Sequence, residues 1–141
     1  VRKMHNLMIG ERTAEDIKIQ IGTVYSLPEP KSMEVKGRDT ITGLPKSITV
    51  TSEEIREALK DAATQIMETI HSILEKTPPE LAADVAERGI VLTGGGALLG
   101  GLAQLIEEET GINTVVEEEP ALAVAIGNGQ YMELMSKMNE K

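Results

Sequence analysis

The last third of the chain alternates strand-like and helix-like segments, and this order restricts the fold more than any other feature. Residues 90–93 form a short apolar run rich in β-branched side chains, and residues 113–116 repeat the pattern. Between them, three glycines lead into a helical stretch at residues 98–109, which Gly111 ends; a final helix is predicted at residues 122–138. Strands joined by helices predict a parallel sheet, so we expect an α/β protein.

Two parallel strands do not form a stable sheet alone, since independent stability needs about three strands with a covered face. The chain has 141 residues, which is enough for one domain, and it begins with valine without a charged-then-apolar leader. We therefore expect further strands upstream of residue 1, in a longer protein of which this sequence is a part.

The first third predicts a helix followed by a hairpin. A capping-box pattern at residues 13–16 starts a short helix, expected to end at Ile21 before a left-handed Gly22. Apolar and polar side chains then alternate within residues 33–51, as they do in the strands of a hairpin. Pro45 begins the second arm, which suits a strand at the edge of a sheet.

A second capping box, at residues 51–54, starts the longest predicted helix, which should run to Lys76. Its apolar residues recur every three or four positions and form one stripe. They are Ile55, Leu59, Ala62, Ile66, Ile70 and Ile73. The proline-rich segment 77–80 stops this helix and starts a shorter one at residues 81–87, with Pro78 at the first helical position.

Composition argues against several classes of function. Fourteen Lys and Arg against 23 Asp and Glu give a net charge of −9, which disfavours a nucleic-acid-binding surface. Without cysteine, the chain has no disulfide, thiolate nucleophile or cysteine-ligated zinc. His5 and His71 have no companions at ligand spacing, so no metal site is expected, and no serine stands in a nucleophile-elbow pattern. No apolar run approaches the roughly 20 residues of a membrane span.

The strongest chemical signal is the turn Gly94-Gly95-Gly96 between a strand and a helix. Glycines let the backbone approach a ligand closely, and the amides at a helix amino terminus attract polar or negative groups. The spacing matches neither the dinucleotide fingerprint nor the phosphate-binding loop with its lysine. From the spacing alone, a nucleotide site and a purely structural tight turn both remain open.

Segments along nearly the whole chain resemble one protein family. Residues 90–102 are similar to the adenosine motif of the actin, sugar-kinase and seventy-kilodalton chaperone superfamily. A closer resemblance is carried by residues 10–18, 35–39, 42–45, 51–59, 74–82, 87–90 and 108–111. These segments occur in the order found in MreB, the bacterial actin homologues, and the chain is identified as a member of that family.

The resemblance implies an incomplete actin-like, ribonuclease H-like domain of the α/β class, with parallel strand–helix units plus an α+β subdomain of hairpin and helix. Residues 1–9 would end an upstream helix and linker, residues 10–76 would form a subdomain IIB, and residues 77–141 would form the carboxy-terminal part of subdomain IIA. The family's phosphate loops and catalytic carboxylates would precede residue 1. We therefore assign no catalytic residue to this chain and expect no ATP hydrolysis from it alone.

The resemblance also implies the adenosine side of a cleft for ATP or ADP with Mg²⁺. The residues carried over are Glu15, Asp16, Ile17 and Lys18 from IIB, and Gly94, Gly95, Gly96, Ala97 and Leu98 from IIA. Without the resemblance, the charged residues among them would be interpreted as an exposed, solvated helix face. Residues 123–129 are similar to the family's second hinge, whereas Gly100 and Asn128 depart from its usual pattern.

A member of this family would be part of an ATP-binding, filament-forming cytoskeletal protein that determines cell shape by organising wall synthesis. It would be cytoplasmic, at the inner face of the cell membrane, and would contact itself head to tail as well as membrane-anchored cell-shape and wall-synthesis proteins. Membrane contact would come only from segments outside this chain, and the hairpin would be a polymer surface. The alternative is an interaction module that binds no nucleotide and docks a cell-shape complex partner or self-assembles.

Overall fold

A three-stranded antiparallel sheet and a two-stranded parallel sheet, each packed against helices, make up the computed structural model, which describes residues 1–139. Along the chain the elements are α1 (Arg2–His5), β1 (Leu7–Met8), α2 (Glu11–Ile21), β2 (Ser32–Asp39), β3 (Pro45–Thr51), α3 (Ser52–Lys76), α4 (Pro79–Arg88), β4 (Ile90–Leu92), a 3₁₀ turn (Gly95–Leu98), α5 (Leu102–Thr110), β5 (Thr114–Val116) and α6 (Ala123–Asn139). The predicted α/β class, with a hairpin subdomain and a parallel strand–helix unit, is confirmed.

The predicted hairpin is formed by β2 and β3, with Val35 opposite Ile48. The sheet order is β1-β2-β3, so the proline-led strand β3 lies at an edge, as predicted. The short strand β1 pairs with the other side of β2, with Leu7 opposite Asp39, and is not predicted because two residues show no periodicity. The core of this half of the molecule consists of Leu7, Ile17, Ile21, Val35 and Val50. Below it is called the first cluster.

The start predicted for α2 is wrong, because the helix begins at Glu11 rather than Thr13. Gly10 is the N-cap, with extended backbone, and no side chain caps the helix. The Gly10 carbonyl accepts the first helical hydrogen bond from Ala14, three residues earlier than the capping-box pattern requires. The predicted end at Ile21 is correct, but Gly22 has a φ of −66° and is therefore not left-handed.

The long helix α3 begins at the predicted capping box, which the structure confirms. The Thr51 side chain accepts the Glu54 backbone N–H at 3.3 Å, and the Glu54 carboxylate accepts the Thr51 N–H at 2.9 Å. The apolar stripe is only partly covered, since Ile66 and Ile73 are exposed. After α3, helix α4 has Pro79 at its first position instead of Pro78, because Pro78 keeps an extended ψ of 146°.

The predicted parallel pairing is confirmed, with β4 beside β5 and Ile90 level with Thr114. Behind this sheet lies a second core, formed by Met67 from α3 and by Leu102 and Ile106 from α5. Below it is called the second cluster. The helix predicted at residues 98–109 is not continuous. Leu98 ends the 3₁₀ turn, and α5 begins only at Leu102.

Candidate functional site

The glycine turn begins where β4 ends. Gly94 has a φ of 81°, which residues with a Cβ rarely adopt, and it is followed directly by the 3₁₀ turn. Its N–H donates to the Pro120 carbonyl oxygen at 2.6 Å, which ties the turn to the loop after β5. The turn therefore lies where the carboxyl ends of two parallel strands meet, which is the usual ligand-binding edge of such sheets.

The next two glycines face open space. A Cβ built on Gly95 or Gly96 meets no other atom within 4 Å. Both residues are exposed, as is the Leu98 side chain, whereas Ala97 is buried and anchors the turn. Packing among the described residues therefore does not require glycine at these two positions, and the space in front of them is open to a ligand.

The other predicted site residues lie on α2. Glu15 and Lys18 are exposed and form an ion pair across one helical turn, with Oε1 and Nζ 3.7 Å apart. Asp16 is half-buried, and Ile17 belongs to the first cluster with 3% of its surface exposed. An exposed ion pair contributes little stability, so Glu15 and Lys18 are free to rearrange toward a ligand, while Ile17 fixes the helix to the sheet.

The segment after α2 joins these two sets of residues. The Val24 N–H donates to the Gly100 carbonyl oxygen at 2.9 Å, and Thr23 pairs with Gly100 in an isolated parallel bridge. Within residues 1–139, no side-chain hydrogen bond or ion pair links the charged residues of α2 to the glycine turn. The structure thus brings the segment after α2 against Gly100, just beyond the turn, and leaves the charged side chains of α2 without a hydrogen bond or ion pair to the turn itself.

Thr23 and Tyr25 make this junction, and the sequence does not predict their roles. Thr23 is 1% exposed; its hydroxyl donates to the Tyr25 carbonyl oxygen at 2.7 Å and accepts the Tyr25 N–H at 3.2 Å. A hydrogen bond to the Glu108 carboxylate on α5, aided by its negative charge and by burial, raises the pKa of Tyr25. The tendency of threonine to bond nearby backbone is the one signal that the sequence offers.

Other predicted features bear less directly on the site. The segment interpreted as a hinge, residues 123–129, forms the first half of α6, and all of it beyond Ala123 is exposed, so the hinge role stays a prediction. Within the part of the chain that the structure describes, no three His, Asp or Glu side chains are grouped to hold a metal ion. No helix in that part has both the length and the apolarity needed to cross a membrane.

Comparisons with known proteins place the chain in a family. A family model described as MreB/Mbl protein matches residues 1–140. The cell shape-determining protein Mbl of Bacillus cereus is 46% identical over all 141 residues, which cover 42% of that protein. The crystal structure of MreB5 of Spiroplasma citri bound to ADP matches 99% of the chain and 43% of its own length, with a TM-score of 0.92 and 35% identity.

A more distant structure, the MamK double helical filament, matches 85% of the chain and 37% of its own length, with a TM-score of 0.69 and 26% identity. The chain therefore spans about two fifths of the length of the proteins that it resembles. The family interpretation drawn from the sequence segments is confirmed, and the chain belongs to the MreB/Mbl family.

Proposed function

We propose that this chain forms the adenosine side of a nucleotide site in a filament-forming protein that determines cell shape. The observation that carries the proposal is the glycine turn, where Gly95 and Gly96 face open space at the carboxyl edge of the parallel sheet. Helix α2 carries the exposed charged residues, and the segment that follows it meets the chain at Gly100, two residues beyond the 3₁₀ turn. The ADP bound to the similar MreB5 structure supports an adenine nucleotide as the ligand.

The residues present suit an adenosine. The open backbone at Gly95 and Gly96 leaves room for a flat ring, and carboxylate and ammonium groups such as those of Glu15 and Lys18 can hydrogen-bond ribose hydroxyls or base edges. Asp16, Ile17, Ala97 and Leu98 complete the proposed site. The role assigned to these residues is to bind and orient ATP or ADP. Neither coordination of Mg²⁺ nor hydrolysis is assigned to them.

Thermal and chemical unfolding with and without ADP and Mg²⁺ tests the proposal. A ligand at about 100 times its dissociation constant adds roughly 2.7 kcal/mol to the free energy of unfolding. Gly95→Val and Gly96→Val fill the open space, so they should abolish this gain while the unliganded protein stays folded. Gly129→Val, in the exposed helix α6, is the matched control, because a Cβ at Gly129 also meets nothing within 4 Å. A folded parent chain that gains no stability from ADP would contradict the proposal.

The same proposal includes self-assembly through the hairpin loop. Ile41 is 77% exposed and Leu44 is 64% exposed at the tip between β2 and β3, so an apolar surface projects into solvent. We expect Ile41→Glu to reduce the sedimenting fraction of the chain with ADP or ATP. Leu81→Glu, at an exposed apolar residue of α4, should not change it. If both substitutions had the same effect on the sedimenting fraction, the hairpin loop would not be part of the assembly surface.

The partners and the cellular location are also proposals. The relatives are named cell shape-determining proteins, which supports membrane-anchored cell-shape and wall-synthesis proteins as partners, at the cytoplasmic face of the membrane. The alternative, an interaction module without nucleotide binding, gains support only if ADP leaves unfolding unchanged while the chain still binds such a partner. The ADP titration above therefore separates the two.

A further inference from the structure

The two halves of the proposed site belong to different hydrophobic cores. Helix α2 is held by the first cluster through Ile17 and Ile21. The glycine turn leads into α5, which is held by the second cluster through Leu102 and Ile106. Neither cluster contains residues from both halves. Two elements bridge them: helix α3, which packs against the first cluster through Ile55 and joins the second through Met67, and the segment that follows α2.

The second bridging element is the strap, which we define as residues 22–25. Its Val24 side chain packs against the second cluster, although the strap directly continues α2. The Val24 N–H donates to the Gly100 carbonyl oxygen at 2.9 Å. The neighbouring Thr23 is 1% exposed, and its hydroxyl is hydrogen-bonded to both the N–H and the carbonyl oxygen of Tyr25. A continuation of one half of the molecule is therefore anchored in the core of the other.

The strap lies so close to Gly100 that a side chain there would displace it. A Cβ built on Gly100 would be 2.7 Å from the Gly22 carbonyl oxygen, a separation that real Cβ atoms essentially never show. The next residue, Gly101, has a φ of 76°, and a Cβ there would collide with the Cβ of Tyr25. Glycine at both positions allows this close approach.

Short hydrogen-bonded links connect the strap to both halves of the site. On one side, the Gly22 N–H donates to the Lys18 carbonyl oxygen at 3.0 Å, so the strap starts where the last helical bond of α2 ends. On the other side, Gly100, which the strap contacts, directly follows Leu99. The Leu99 N–H donates to the Gly96 carbonyl oxygen at 3.1 Å, which connects Gly100 to the glycine turn. A shift of the strap against Gly100 would therefore move α2 relative to the glycine turn.

We infer that the contact between the strap and Gly100, together with the packing of α3, sets the spacing of the two halves of the nucleotide site, with Thr23 and Gly100 as positioning residues. This inference rests on the proposed function for its nucleotide, while the spacing itself is a property of the chain alone. Thr23 acts by holding Val24 and Tyr25 in the conformation that meets Gly100 and Gly101.

The absence of cysteine makes the spacing directly measurable. Spin labels on Ile19→Cys and Gln104→Cys, both exposed and on opposite sides of the strap, report the distance between α2 and α5 without nucleotide. ADP affinity is measured separately on unlabelled protein. The test variant is Thr23→Val, and the matched control is Thr114→Val, because Thr114 is also buried and its hydroxyl donates to a local carbonyl, that of Ile112, at 3.0 Å.

We expect Thr23→Val to shift or broaden the distance distribution and to weaken ADP binding roughly fivefold, the equivalent of about one net hydrogen bond. Thr114→Val should lower stability similarly and leave both readouts unchanged. A distribution unchanged by Thr23→Val overturns the inference. If Thr23→Val does not fold, Gly100→Ala is measured instead, and an unchanged distribution there overturns it equally. If the parent binds no ADP but Thr23→Val still changes the distance distribution, the proposed function fails and the control of spacing by the strap stands.

Discussion

Asp39 closes the loop of the hairpin with a single carboxylate. Its Oδ1 accepts the N–H groups of Ile41 at 2.8 Å and Thr42 at 3.0 Å, and its Oδ2 lies 3.2 Å from Nζ of Lys46. The backbone bonds from Thr42 and Ile41, followed by the bond from Lys46, lower the pKa of Asp39 from 3.8 to about 2. The ionised carboxylate is therefore part of the folded loop.

Replacing the Asp39 carboxylate should make the stability of the protein less dependent on pH in the acid range. A pKa that is lower in the folded state stabilises the protein above pH 3.8, and this contribution is lost as the pH falls toward about 2. We expect Asp39→Asn to lower the urea midpoint at neutral pH, with the difference from the parent shrinking as the pH falls through about 2. The control is Glu34→Gln, at an exposed residue of β2. A midpoint difference for Asp39→Asn that is the same at every pH would contradict this account.

Two neighbouring glycines should differ in what alanine does to them. Gly94→Ala forces a side chain into a φ of 81° and a ψ of 165°, a region that essentially only glycine occupies, and should cost roughly 1–3 kcal/mol in the free energy of unfolding. Gly95→Ala should be nearly neutral, because its Cβ meets nothing within 4 Å and its φ is not in the left-handed region. Urea denaturation of the two variants checks this difference. Equal losses would show that the turn is not held in the conformation described.

At the residue scale, the sequence predicts which face of α2 is buried better than it predicts the contacts that hold the site together. The spacing of Ile17 and Ile21 marks the buried face of α2 and so leaves Glu15 and Lys18 on its exposed face, where the structure has them. The burial of Thr23 could not be predicted, because it depends on a backbone contact with a residue 77 positions away.

Helix α3 owes its start to reciprocal side-chain and backbone bonds between Thr51 and Glu54. The hydrogen bond from the Thr51 N–H lowers the pKa of Glu54. Burial raises this pKa, and the His5 ring, 3.0 Å away, lowers it. Thr51→Ala should therefore cost about 1 kcal/mol in the free energy of unfolding. Thr64→Ala, at an exposed interior position of the same helix, should be neutral or slightly stabilising, because alanine is the better helix former. A neutral Thr51→Ala, measured by urea unfolding, would argue against the cap.

Elements with strong local signals are predictable, and elements formed by distant contacts are not. The capping box and the apolar periodicity predict α3 to within one residue at its start. Strand β1 has only two residues and exists because β2 offers it a partner, with Leu7 in the core. The break before α5 likewise depends on Gly100 meeting Thr23, so the local pattern wrongly predicts one continuous helix.

At the scale of the whole molecule, the parallel sheet is covered on one face only. Ile90 and Leu92 pack toward the second cluster, whereas Val91 is 55% exposed and its neighbour across the pair, Val115, is 47% exposed. Parallel sheets are normally buried on both faces. The alternation of strands and helices predicts the pairing of β4 with β5. The apolar residues of the two strands do not show which face of this sheet the rest of the described chain covers.

Helix α6 presents a second uncovered apolar surface. Its residues 124–138 are all exposed, including large apolar side chains. These are Val124, Ile126, Tyr131, Met132, Leu134, Met135 and Met138. Since the helix buries almost nothing against the two clusters, its removal should resemble a surface change rather than the loss of a core element.

A chain that ends at Leu122 should therefore keep its free energy of unfolding to within about 1 kcal/mol of the parent, since surface substitutions away from the core usually cost about 0.5 kcal/mol or less. It should also scatter less light at equal concentration, because exposed apolar patches promote association. Ile106→Ala, in the second cluster, is the reference and should cost about 2–5 kcal/mol. A truncation that costs as much as this reference would mean that α6 packs against the cores in solution, which the exposure of its side chains argues against.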